Sequence, residues 1–127
     1  MASSFFWVWK EISQGGWCCF DHDDASGSYS ERVATKRALA HVRPSRIAGF
    51  PISFAFDRSS GRFTMRFHAD PGVRGPHVIV VPEVLGPPLA VRCDERNVTP
   101  NIDGTSVSIS CGDADDRDHE LAVDFAP

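Results

Sequence analysis

From Pro51 onward, apolar and polar residues alternate with a period of two, a pattern that buries one face of an antiparallel sheet and suits no helix. Ile52, Phe54 and Phe56 alternate with Ser53, Ala55 and Asp57. After Arg58-Ser59-Ser60-Gly61, Phe63, Met65 and Phe67 alternate with Arg62, Thr64, Arg66 and His68. The two runs predict a β-hairpin. His77 to Val81 is apolar on both faces, as expected of a central strand. Leu89, Val91 and Cys93 form a further inward set, as do Val107, Ile109 and Cys111, and then Leu121, Val123 and Phe125. About six strands separated by Gly, Pro and Asp clusters predict an antiparallel β-sandwich over residues 46–127 without an internal helix. Its expected core includes Phe54, Phe56, Phe63, Phe67, Val80, Val91, Ile109, Val123 and Phe125.

Residues 1–45 have a different character. Trp7, Trp9, Trp17 and Tyr29 all lie there, and after them phenylalanine is the only aromatic residue type. Phe5-Phe6-Trp7-Val8-Trp9 is a continuous apolar run of strand length, as in a parallel strand covered on both faces. A loop with Gly15-Gly16 and Asp21-His22-Asp23-Asp24 follows, then an expected helix from about Tyr29 to Val42, with Ser28 and Glu31 at capping-box spacing. The fold class is therefore mainly β: one β/α unit, then the sandwich. Proline disfavours helix in the residue before it, so the domain boundary is expected at Arg43-Pro44-Ser45-Arg46.

Composition narrows the function classes. Apolar residues are 42% and charged residues 24% of the 127, values of an ordinary globular chain. A net charge of −4 without clustered Lys and Arg argues against nucleic acid as a partner. No apolar run approaches the roughly 18 residues of a membrane-spanning helix. Phe5 to Trp9 is too short for a signal-peptide core, so the sequence as written is expected to stay in the cytoplasm.

Adjacent Cys18 and Cys19 are poorly placed to pair with each other. Cys93 and Cys111 share the inward parity of their strands; the favoured reading is two buried thiols acting as small hydrophobes, with a bridge as the alternative. The clusters Asp21-His22-Asp23-Asp24 and Asp113 to His119 lack the glycine and terminal glutamate of a helix-loop-helix calcium site and read as solvated turns. His68, His77 and His119 have no ligand spacing and are expected at the surface. No metal or other cofactor is expected.

The order of these segments resembles a known arrangement. Trp7-Val8-Trp9-Lys10-Glu11, the Gly15-Gly16-Trp17 turn, the Asp-rich loop and a helix ending before Arg43-Pro44 resemble the last strand, loop and helix of a family 5 glycoside hydrolase barrel. Arg46-Ile47-Ala48-Gly49, Ile52 to Asp57, Gly61-Arg62-Phe63-Thr64 and His77-Val78-Ile79-Val80-Val81-Pro82 resemble the C-terminal domain of its endoglycoceramidase-like members. The resemblance implies that residues 1–45 are a remnant of the catalytic (β/α)8 barrel and residues 46–127 the accessory sandwich. It also implies that Trp9 is a substrate-binding residue in an intact parent, where an indole face can support a sugar ring.

Retaining hydrolysis requires two carboxyl groups about 5 Å apart. The family's acid follows an asparagine, yet Asn97 precedes Val98 and Asn101 precedes Ile102. No catalytic residue is therefore assigned, and Glu11, beside Trp9, reads as a rim residue. The expected function is a non-catalytic accessory domain of a glycosylceramide-hydrolysing enzyme, with the catalytic barrel as partner and glycolipid or glycoside engaged only through that parent. The alternative is an independent β-sandwich module that binds carbohydrate or protein, with self-association through Phe5 to Trp9. Sugar platforms on sandwiches use exposed Trp or Tyr, and the absence of both after residue 46 favours the accessory role.

Overall fold

The structure is a computed structural model that describes residues 20–112 and 115–127. The chain divides into two compact units, 1–39 and 40–127. In the first, strands β1 (Phe20–Asp23) and β2 (Ser28–Glu31) form an antiparallel hairpin that precedes a short helix, α1 (Val33–Leu39). The expected helix is therefore shorter than its sequence signal. Ser28 and Glu31, read as a capping box, lie in β2, and the Asp-rich segment is a strand and turn rather than an open loop. Asp23 organises that turn: its carboxylate accepts the Ala25 N–H and the Ser26 hydroxyl, and its carbonyl accepts the Gly27 N–H. The Phe5 to Trp9 strand lies outside the described residues.

The second unit is an antiparallel β-sandwich. One sheet has the order β3 (Arg43–Arg46), β6 (His77–Val80), β10 (Ser106–Ile109), β9 (Asn101–Asp103). The other runs β4 (Phe50–Asp57), β5 (Arg62–His68), β11 (Asp118–Asp124), β7 (Ala90–Cys93), β8 (Arg96–Asn97). The chain passes between sheets at both lateral edges, through 47–49 on one side and 98–100 on the other. The six expected strands are present, joined by the short strands β3, β8 and β9. The stretch read as a junction, Arg43 to Arg46, is itself β3.

The core follows the alternation. Phe63, Met65 and Phe67 on β5, Leu121 and Val123 on β11, and Val91 and Cys93 on β7 face Ile79, Val107 and Ile109 of the other sheet. Register explains why these sets coincide: Phe63, Met65 and Phe67 lie opposite Val123, Leu121 and His119. Two glycines are sterically required. A Cβ on Gly49 (φ 134°) would collide with the His68 carbonyl oxygen, and one on Gly61 (φ 65°) would lie 2.6 Å from that of Phe125. The turn before Gly61 is held by Asp57, whose carboxylate accepts the Ser59 N–H and the hydroxyls of Ser59 and Ser60. Those bonds, the Ser59 hydroxyl first, lower its pKa to about 2.

Several core expectations are corrected. Phe54 and Phe56 lie opposite Met65 and Phe63 and so on the core face, but β4 is the outermost described strand of its sheet. Phe56 is half-buried and packs against the core as expected, whereas Phe54 is exposed. Val80 is half-buried, its neighbour Ile79 being the inward residue. Leu89 precedes β7 and is 69% exposed, although its N–H donates to the Asp124 carbonyl.

Candidate functional site

Side-chain chemistry concentrates at the end of the sandwich where β5 finishes, β11 begins and the β7–β8 turn folds over. Asp94 and Glu95 make that turn with φ of 47° and 67°, the left-handed pair a tight hairpin requires. This geometry sets Asp94 beside β11. One of its carboxylate oxygens accepts the Glu120 N–H at 2.9 Å, and the other lies 2.6 Å from Nδ1 of His119. Nε2 of His119 lies 2.6 Å from Asp115. The ring stacks on Phe67, with centroids 5.6 Å apart, and the other ring neighbouring Phe67 is His77 at 4.2 Å. His77 Nδ1 accepts the Ala48 N–H.

His77 and His119 are thus buried, at 1% and 5% exposure, against the expectation that both lie on the surface. Both occupy inward positions of their strands, and each has polar partners that offset the cost of burial. His68 faces outward at the end of β5, with Nδ1 2.9 Å from Asp118 and Nε2 2.7 Å from Asp116. Hydrogen bonds to Asp118 and then Asp116 raise its pKa. Burial raises the Asp94 carboxyl, but the Glu120 N–H and His119 outweigh it and the net shift is downward. Asp115 is lowered chiefly by its bond to His119. The second acidic cluster is therefore engaged with histidines rather than merely solvated.

Carboxyls held below their ordinary range remain ionised at neutral pH. They cannot donate the proton a leaving glycosidic oxygen needs. Among the described residues, no group of three or more His, Cys, Asp or Glu is placed to hold a metal ion. Beneath the cluster, Cys93 and Cys111 form a disulfide with Cα atoms 5.5 Å apart. The favoured reading of two free thiols is thereby corrected; the shared inward parity of the two cysteines was the available signal for the bridge.

At the hairpin of the first unit, His22 bonds Asp24 at 2.9 Å and packs on Tyr29, and Arg32 pairs with Asp21. Trp9 and Glu11 lie outside the described residues.

The family model for the glycoside hydrolase family 5 C-terminal domain matches residues 43–123, spanning β3 through nearly all of β11. The chain belongs to that family. A comparison with curated protein sequences finds no match. Among solved structures, this family 5 C-terminal domain is similar to endo-glycoceramidase II from Rhodococcus sp., with 18% identity, a TM-score of 0.52, and coverage of 91% of this chain and 24% of that one. The complex of the same enzyme with ganglioside GM3 matches with a TM-score of 0.53, and its lactosyl-enzyme intermediate with 0.52, both at 18% identity. At that identity the likeness concerns the fold. The chain spans about a quarter of the length of these structures, and the coverage extends beyond the second unit into the first.

Proposed function

We propose that this family 5 C-terminal domain is a non-catalytic accessory domain of a glycosylceramide-hydrolysing enzyme. In this reading its residues before the sandwich are the last β/α unit of the catalytic barrel, and Trp9 lies under the sugar in the assembled enzyme. The observation that carries the reading is the family match over 43–123 combined with a fold likeness that reaches into the first unit. The cluster chemistry agrees: the paired aspartates are lowered in pKa, the reverse of what a general acid requires. The sequence after residue 46 also offers neither Trp nor Tyr as a sugar platform.

Two measurements test this. Purified chain incubated with glycosylceramide or an aryl glycoside should release no sugar above a buffer blank, and calorimetry with lactose should show no saturable heat. Turnover that disappears in Glu11→Gln would make Glu11 catalytic and overturn the accessory role. Saturable lactose binding that survives Trp9→Ala would turn the sandwich into a carbohydrate-binding module. The in-frame DNA upstream of Met1 tests the parent: it should encode the preceding β/α units with an Asn-Glu pair at the end of one strand.

A further inference from the structure

Cys93 closes β7 in the five-stranded sheet, and Cys111 lies just past β10 in the four-stranded sheet, so their bond ties one sheet to the other across a sequence separation of 18. The two cysteines differ in exposure. Cys93 is 5% exposed, whereas Cys111 is half-buried and lines two clefts. One, of about 430 Å³, is shared with Arg74, His77 and Gly112; the other, of about 210 Å³, holds Cys93 together with Arg96, Arg117 and His119. Beyond Cys111 the chain returns to β11, and that return is pinned by Asp115 to His119 and by Asp116 to His68.

We propose that Cys93–Cys111 is a thiol–disulfide exchange site, opened at Cys111 by a dithiol reductant, and that its oxidised form locks this end of the sandwich. A thiolate of the reductant attacks Cys111 Sγ through the wider cleft. The S–S bond breaks, and its electron pair leaves on Cys93 Sγ, which takes a proton from water. The second thiolate of the reductant then displaces Cys111, so that two electrons and two protons enter the protein and the reductant departs as a disulfide. The adjoining cleft holds Arg96 and Arg117 but also Asp94 and Asp115, with Arg117 paired to Asp115, so the choice of Cys111 rests on access rather than on local charge. The reverse reaction needs a disulfide donor, so the locked form belongs to an oxidising compartment and the open form to a reducing one.

The test uses the full chain with Cys18→Ser and Cys19→Ser, leaving this pair alone. Dithiothreitol without denaturant should release two thiols and lower the melting temperature by roughly 10 °C or more. Glutathione disulfide should form a stable mixed disulfide at Cys111 when Cys93→Ser is added. It should modify Cys93 at least tenfold more slowly when Cys111→Ser is added instead. Should either variant fail to fold, peptide mapping of glutathione trapped on the unsubstituted pair reads the attacked sulfur directly. A bond that resists reduction until the chain unfolds, a melting temperature unchanged on reduction, or equal modification of the two sulfurs would overturn the proposal.

Discussion

Asp94 grips His119 at two levels: one carboxylate oxygen lies 2.6 Å from Nδ1 of the ring, and the other accepts the N–H of Glu120, the next residue along β11. The aspartate thereby fixes both the ring and the strand that carries it. With Asp115 on Nε2, both ring nitrogens face carboxylate oxygens. A neutral imidazole has one N–H and one lone pair, so in that form the ring donates to only one of the two carboxylates.

Replacing His119 with Ala should therefore cost more than an ordinary surface substitution. It leaves two carboxylates facing each other across a void beside Phe67. We expect a loss of about 1–3 kcal/mol in urea unfolding. His119→Phe should restore packing on Phe67 without restoring stability; full recovery with Phe would show that the ring contributes by volume alone.

The pH dependence follows from the signs of the shifts. The folded pKa of His68 is raised above 6.5, so its contribution is complete below that pH and is lost as pH rises through the folded value. Asp115 is lowered from 3.8, so its contribution is complete above that pH and is lost as pH falls through the folded value. Melting temperature measured against pH should be highest between these limits. His68→Asn should flatten the alkaline side and leave the acid side in place.

Core depth should rank the phenylalanines. Phe63→Ala empties a fully buried position and is expected to cost about 3–5 kcal/mol, while Phe54→Ala, on the exposed β4, should cost clearly less. Denaturation midpoints of the two variants decide this, and equal losses would contradict the exposure of Phe54.

Phe50 and Ile52 are exposed on a strand that carries no charge between Phe50 and Phe56. Apolar strands of this kind promote association. Phe50→Ser with Ile52→Thr should lower any concentration-dependent mass seen by light scattering and leave the melting temperature nearly unchanged.

The strands of the inner core were legible because Phe63, Met65, Phe67, Leu121, Val123 and Phe125 sit at period two, which any half-buried strand must show. Exposure at the edges was not. Whether Phe54 is covered depends on how far the opposite sheet extends, and that is settled by pairings distant in sequence. The Ser28 and Glu31 spacing suits a helix start, yet both residues lie in β2, where pairing with β1 overrides a local signal. The histidines were misplaced for a related reason. His77 and His119 stand at inward parity, but a polar residue there is tolerated only with partners, and of these Ala48 and Asp94 come from other parts of the chain while Asp115 lies four residues before His119. Trp9, the residue on which the sugar-contact reading rests, lies outside the described residues.

β11 lies between β5 and β7 in the middle of the five-stranded sheet, although it is made after every strand it joins. On a ribosome, β5 and β7 must wait, each with a bare hydrogen-bonding edge, until residues 118–124 have cleared the exit tunnel. β4 and β5 can pair as a hairpin before then, but that hairpin and the β7–β8 pair are not joined into one sheet until β11 arrives. A chain interrupted before Asp118 would lack the strand that holds Leu121 and Val123 between its neighbours, and would present quality-control proteases with an open core rather than a shortened domain.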